Sequence, residues 1–253
     1  MLLKDLDLYF KELLLIDDFS GVDNSLNGLQ VGDYNMEISR IAFAVDACAE
    51  IFKRAVALKA QALFVHHGLF WGKIYPFTGR HYKRLQLLTK NDLALYAAHL
   101  PLDSHPAYGN AAGIADKLGL TDREQFGEHR RKYIGCKGKL PKKMTLDQIK
   151  IELDISPNML RSELPFGKDE IESLGIITGG AAWESFQAID QELDLYITGD
   201  PAHEIYYHCL EAGINVISAG HYFTETFGVK TVCAKTAEDL GIETVYIDLP
   251  TGL

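Results

Sequence analysis

Apolar runs and amphipathic stretches alternate along this chain, and the alternation repeats. Residues Ile41–Val45 are apolar throughout, the pattern of a strand covered on both faces. Ile51, Val56 and Leu58 follow at near-helical intervals, and Ala62–Val65 forms a second apolar run. The same order returns in LGIITGGAAWESFQAIDQELDLYITGDP, residues 174–201. One constant shift places Ile41 on Leu174, Phe64 on Ile197 and His67 on Asp200 without a gap. A further helix and strand follow each copy. In the first these are residues 84–89 and LALYAAHLPLD; in the second, residues 204–211 and INVISAGHYFTE. Strands alternating with helices predict βαβ units. The expected fold is therefore α/β, with two related α/β domains and mostly parallel sheets.

Leucines at roughly helical spacing, with acids between them, predict an amphipathic first helix in MLLKDLDLYFKELLLIDDF. Residues 126–173 show no strong period and contain Gly127, Gly135, Gly138, Pro141, Pro157 and Pro165. A helix beginning at Phe223 or Thr224 and a strand in TVYIDLP, residues 244–250, are expected to pack back on the first domain. The domains are accordingly drawn as 1–125 plus 215–253, discontinuous, and 126–214.

Composition narrows the classes. At 253 residues the chain is long enough for two cores. No apolar stretch approaches the ~20 residues that cross a bilayer, and the N-terminus lacks the pattern of a signal peptide. The expected location is the cytoplasm. Cys48, Cys136, Cys209 and Cys233 lie far apart with no CxxC pair, which argues against a structural zinc site or a disulfide framework. A net charge of -10 argues against a nucleic-acid-binding surface. Eight cations between Arg130 and Lys150 run against that balance. They read either as a solvated hairpin face or as an anion-attracting rim.

The chemistry-bearing residues fall at the predicted carboxyl ends of strands, where open α/β sheets bind ligands. His66 and His67 end one strand; His99 and Asp103 end the next. Asp200 ends a strand of the second copy, and His221 and Glu225 follow the last. Neighbours on a strand point to opposite faces, so His66 and His67 converge only if the chain turns, which Gly68 permits. His221 and Glu225, four apart, share one face of a helical turn. Together His66, His67, Asp103, His221 and Glu225 form the mixed N/O set that suits zinc, iron or manganese. Five ligands exceed what one catalytic ion needs and fit two ions ~3.5–4 Å apart, with Asp103 as the bridge. His99 is placed to orient a ligand through its other ring nitrogen. His203, close to Asp200, is a further contact candidate, and His105 could line the cleft. Asn27-Gly28 is a turn signal.

NSLNGLQVG (24–32), FVHHGLFWG (64–72), AAHLPLDSHPAYGNAAGIADKLGL (97–120) and AGHYFTETFGVKTVCAKTAEDLG (219–241) resemble, in order and over nearly the whole chain, the NIF-three-like dinuclear metal-centre family. Its members are often named GTP cyclohydrolase 1 type 2 homologs. The resemblance implies a two-domain α/β fold with an interdomain metal cleft, two divalent ions per subunit and a toroidal homohexamer. It carries the metal ligands onto His66, His67, Asp103, His221 and Glu225. It also brings the NGLQ loop near the metals, with Asn27 or Gln30 as polar contacts. The family often has Glu after TG where this chain has Asp200, which puts in doubt the transfer of substrate contacts there.

Two functions compete. The first is a metal-dependent hydrolase whose nucleophile is a metal-bound hydroxide. By resemblance its substrate is a nucleotide, GTP, opened at C8 of guanine. No GxSxG turn or activated cysteine offers a side-chain nucleophile, and for the triphosphate there is no P-loop, only the basic stretch 130–150. The second is a non-catalytic metal-handling or scaffold protein.

Overall fold

The computed structural model describes residues 1–74 and 76–253. Its first six strands are β1 (Gly28–Val31), β2 (Arg40–Asp46), β3 (Ala62–His67), β4 (Ala94–Ala97), β5 (Thr121–His129) and β6 (Lys132–Met144). The others are β7 (Ser162–Pro165), β8 (Ile171–Ile176), β9 (Leu195–Thr198), β10 (Asn215–Ser218) and β11 (Glu243–Tyr246). They form one sheet in the order β1-β4-β3-β2-β11 and another in the order β5-β6-β8-β9-β10-β7.

The chain divides into two compact units, Met1–Leu102 with Val229–Leu249, and Asp103–Gly228 with Pro250–Leu253. The first unit is discontinuous, and its limits differ from the 1–125 plus 215–253 drawn from the sequence. Strand β10 hydrogen-bonds between β9 and β7, so it belongs to the second sheet. Only the segment ending in β11 returns to the first, where β11 pairs in parallel with β2. The repeat that LALYAAHLPLD and INVISAGHYFTE close holds both third strands to the same role, one in each sheet.

In the first unit β4, β3, β2 and β11 are parallel and β1 is antiparallel to β4. Strands β2 to β4 are buried almost along their length, hence their unbroken apolar sequences. One face carries Ala42, Leu63, Val65 and Leu95 against Phe52, Leu88 and Ile247. The alternating positions Phe43, Phe64 and Tyr96 receive Phe10 from the helix Leu3–Leu14, with ring centroids 6.3, 4.9 and 4.9 Å from it. Burying each such ring contributes about 1.5–3 kcal/mol. Leu3, Leu6, Phe10 and Leu14 give that helix its one buried stripe.

In the second unit only β8, β9 and β10 are parallel. They reproduce the β2-β3-β4 arrangement, and their core holds Leu174, Ile197 and Ile217 with Ile114, Leu118 and Ile149. Antiparallel β5, β6 and β7 extend the sheet at both ends. The basic stretch is largely β6. Arg130 and Arg131 turn the β5-β6 hairpin at φ 49° and 69°, the left-handed pair of a two-residue turn.

Candidate metal-binding residues

Each unit presents its polar side chains where its parallel strands end. In the first, β3 closes on His66 and His67. Their ring centroids are 4.5 Å apart, and His99, two residues beyond β4, lies 5.1 and 5.7 Å from them. One nitrogen from each of the three rings falls within 4.8 Å of the others, close enough to share an ion. Gly68 follows the strand directly, ahead of a bend at Leu69. Its φ is ordinary, and what it supplies is room. A Cβ there would stand 2.3 Å from Gln30 Nε2 and 2.7 Å from the Ala97 Cβ. Gln30 Oε1 uses that room to accept the Leu69 N–H at 2.8 Å.

Every one of these imidazoles is held at Nδ1 by an oxygen. His66 Nδ1 is 3.0 Å from the Ala98 carbonyl, His67 Nδ1 is 2.8 Å from Asp46 Oδ1, and His99 Nδ1 is 2.9 Å from Asp23 Oδ1. Carbonyl and carboxylate oxygens only accept, so the Nδ1 proton donates and Nε2 is left to serve a ligand. His66 is completely buried, which fixes its ring.

Asp23 is the hub of a loop that the sequence did not single out. Burial pushes its pKa up, and is outweighed by the His99 ring, the Asn27 amide and the Ser25 N–H, which together bring it down to about 2. Asn27 links the same loop to the strand end: its Nδ2 donates to Asp23 at 2.9 Å and its Oδ1 accepts the His99 N–H at 2.8 Å. Trp71 meets the His99 ring edge-on at 4.9 Å.

In the second unit, His221 opens the short helix His221–Thr224. Its Nδ1 lies 2.6 Å from Asp200 Oδ2 and its Nε2 lies 3.1 Å from Glu225 Oε1. Burial lowers the His221 pKa, but Glu225 and then Asp200 more than reverse this and raise it to about 9. Gly179 and Gly180 make space for the pair. A Cβ at Gly179 would meet Glu225 Oε1 at 2.3 Å and His221 Nε2 at 3.2 Å. Asp103, 6% exposed, accepts at Oδ1 from Asn110 Nδ2 at 2.9 Å and from Thr178 Oγ1 at 2.8 Å. Two neutral donors on one oxygen hold the carboxylate in a set direction.

The sequence candidates therefore separate into His66, His67, His99, Asn27 and Gln30 on the first unit and Asp103, Asp200, His221 and Glu225 on the second. His203 sits exposed on the short turn His203–Ile205, outside these hydrogen-bonded sets. His105 stacks on Tyr108 at 4.8 Å and accepts the Tyr108 N–H at Nδ1. Asp46 and Thr178 were open to discovery by the strand-end rule that found the histidines, since they follow the apolar runs of β2 and β8. Asp23 gave no such signal.

A family model described as Duf34/NIF3 (NGG1p interacting factor 3) matches residues 1–251. The chain is 41% identical to the GTP cyclohydrolase 1 type 2 homolog of Treponema pallidum (strain Nichols) over the whole of both chains. It is also 41% identical to the protein of the same name from Archaeoglobus fulgidus over 97% of each. Among solved structures, TTHA1606 from Thermus thermophilus matches with a TM-score of 0.89 and 36% identity over all of both chains. Reduced HcgD from Methanocaldococcus jannaschii matches at 0.83 and 26% identity over 98% of each.

Proposed function

From the premise that the chain belongs to the Duf34/NIF3 (NGG1p interacting factor 3) family, we propose that it binds two divalent ions and acts as a metal-dependent hydrolase. The proposed ligands are His66, His67, Asp103, His221 and Glu225, with Asp103 as the bridge. Their nitrogen and oxygen donors suit zinc, iron or manganese. The observation that carries this reading is the common orientation of the rings: His66, His67 and His221 all engage an oxygen at Nδ1. That is how metal-ligating histidines are fixed, and surface histidines have no need of it.

Bound divalent ions would supply Lewis acidity and lower the pKa of water. The chain's own residues do the rest. Asp46 and Asp200 hold His67 and His221 at their far nitrogens, Thr178 and Asn110 aim Asp103, and Asp23 positions His99 beside His66 and His67. His99 is available to a ligand or to the substrate. A nucleotide is the proposed substrate, on the strength of the curated relatives named GTP cyclohydrolase 1 type 2 homolog. A homohexamer is the proposed assembly, on the strength of the sequence blocks shared with the family.

The test is turnover of a panel of nucleotides and phosphoesters, GTP among them, by purified protein of known metal content. Hydrolysis is expected to stop on chelation and return with the metal. Turnover that survives complete chelation would defeat the metal-dependent reading. A fully metallated protein inert towards the whole panel would leave a metal-handling or scaffold role in its place. Light scattering that finds only the mass of a single chain would rule out the hexamer.

A further inference from the structure

Between His67 and Asp92 the chain has no Asp or Glu, yet it carries Lys73, Arg80, Lys83, Arg84 and Lys90. In a protein of net charge -10 this is a local reversal. It differs from the basic hairpin. There Lys137, Lys139, Lys143 and Lys150 pair with Glu124, Asp122, Glu172 and Glu163. Among the described residues, none of the five cations after His67 takes part in an ion pair.

A cavity of about 230 Å³ opens in this segment. It is lined by Leu69, Phe70, Phe77 and Leu85 together with Lys73 and Arg84, and by no carboxylate among the described residues. Phe70 and Phe77 meet edge to face, 6.2 Å apart. Arg84 is half-buried on the helix Gly79–Lys90. Partial burial costs a guanidinium some of its hydration, and among the described residues no carboxylate pairs with Arg84 to make up for it.

We propose that this cavity binds a small aromatic phosphate, its ring against Phe70 and Phe77 and its phosphate on Arg84 and Lys73. Arginine matches phosphate oxygens with two parallel N–H donors, and aromatic rings stack with one another at little cost in specificity. Pockets that enclose a drug-sized ligand measure about 300–1,000 Å³. This one is smaller, so it takes a ring and leaves bulkier parts of the ligand outside. The site goes beyond the metal reading and does not depend on turnover.

Calorimetric titration with guanosine 5′-monophosphate, phenyl phosphate, inorganic phosphate and guanosine tests it, on metal-loaded and on chelated protein. At least one of the two aromatic phosphates is expected to bind at least tenfold more tightly than inorganic phosphate and guanosine. Binding of the nucleotide alone would mark the ligand as a nucleoside phosphate; binding of phenyl phosphate as well would mark it as any aryl phosphate. Arg84→Gln is expected to weaken binding at least tenfold, and Lys73→Gln, on the exposed loop, serves if the first variant does not fold. Affinity unchanged in the folded variant would overturn the proposal, as would inorganic phosphate binding as well as the aromatic compounds, or no binding at all. Binding lost on chelation would place the anion at the metal ligands and equally overturn it, leaving the metal reading intact.

Discussion

His67 Nδ1 stands 2.8 Å from Asp46 Oδ1, and the two residues are register partners on the adjacent parallel strands β3 and β2. The sheet itself therefore sets the direction of the imidazole. Asp46→Ala is expected to lower metal affinity about 10–100-fold, the usual cost of losing such an orienting carboxylate. Because the Asp46 side chain is 37% exposed, the fold should persist, as circular dichroism would verify. Competition with a chromogenic chelator reads the affinity; a value equal to wild type would show that Asp46 does not orient His67.

Gly179 offers a sharper steric test. Its φ is +66°, and a Cβ would stand 2.3 Å from Glu225 Oε1. Gly21, with φ +77°, has nothing within 4 Å of the same position. Gly21→Ala should cost only the backbone strain, about 1 kcal/mol. Gly179→Ala should cost about 1–3 kcal/mol more, since overpacking is added to strain, and should also weaken metal binding. Denaturant unfolding of both variants checks the order. Equal losses would mean that Glu225 moves aside freely.

Asp194 ties the start of β8 to β9. Its Oδ2 accepts the Glu172 and Ser173 N–H groups at 3.0 and 3.1 Å, and Oδ1 accepts from Lys168 at 2.6 Å. Burial raises its pKa, but Lys168 and these N–H groups prevail and hold it below 3.8. A carboxylate depressed in this way stabilises the fold above its ordinary pKa, and the contribution is lost as pH falls through the lower folded value. Asp194→Asn should cost about 1–3 kcal/mol at neutral pH. The difference from wild type should shrink only below pH 3.8, the ordinary value. A difference that stays constant as the pH is lowered would exclude the carboxylate charge as its source.

What could be read in advance was what periodicity encodes. The interiors of β2, β3 and β9 are continuous apolar runs, and the two histidines that end β3 stood out by residue type. The extent of β5 and β6 did not, because their glycines look like loop. Gly135 and Gly138 are strand residues: a Cβ would meet the Ile176 carbonyl at 2.1 Å and the Thr121 carbonyl at 2.7 Å. Close approach of neighbouring backbones, with no turn involved, demands glycine there. The boundary of the first unit was misplaced for a related reason. Which sheet β10 joins depends on hydrogen bonds to β9 and β7, and nothing in Asn215–Ser218 itself distinguishes the two. Asp23 was invisible because the partners that tie it to the histidines, the His99 ring and the Leu100 N–H, are distant in sequence.

The central claim is tested most directly by counting metal ions in purified protein. Elemental analysis after exhaustive dialysis should find two divalent ions per chain for the wild type. His66→Ala and His221→Ala should each retain fewer, and Asp103→Ala should lose occupancy of both if it is the bridge. A wild-type chain that retains no ion, or His66→Ala and His221→Ala variants that keep both, would contradict the assignment of these residues as ligands.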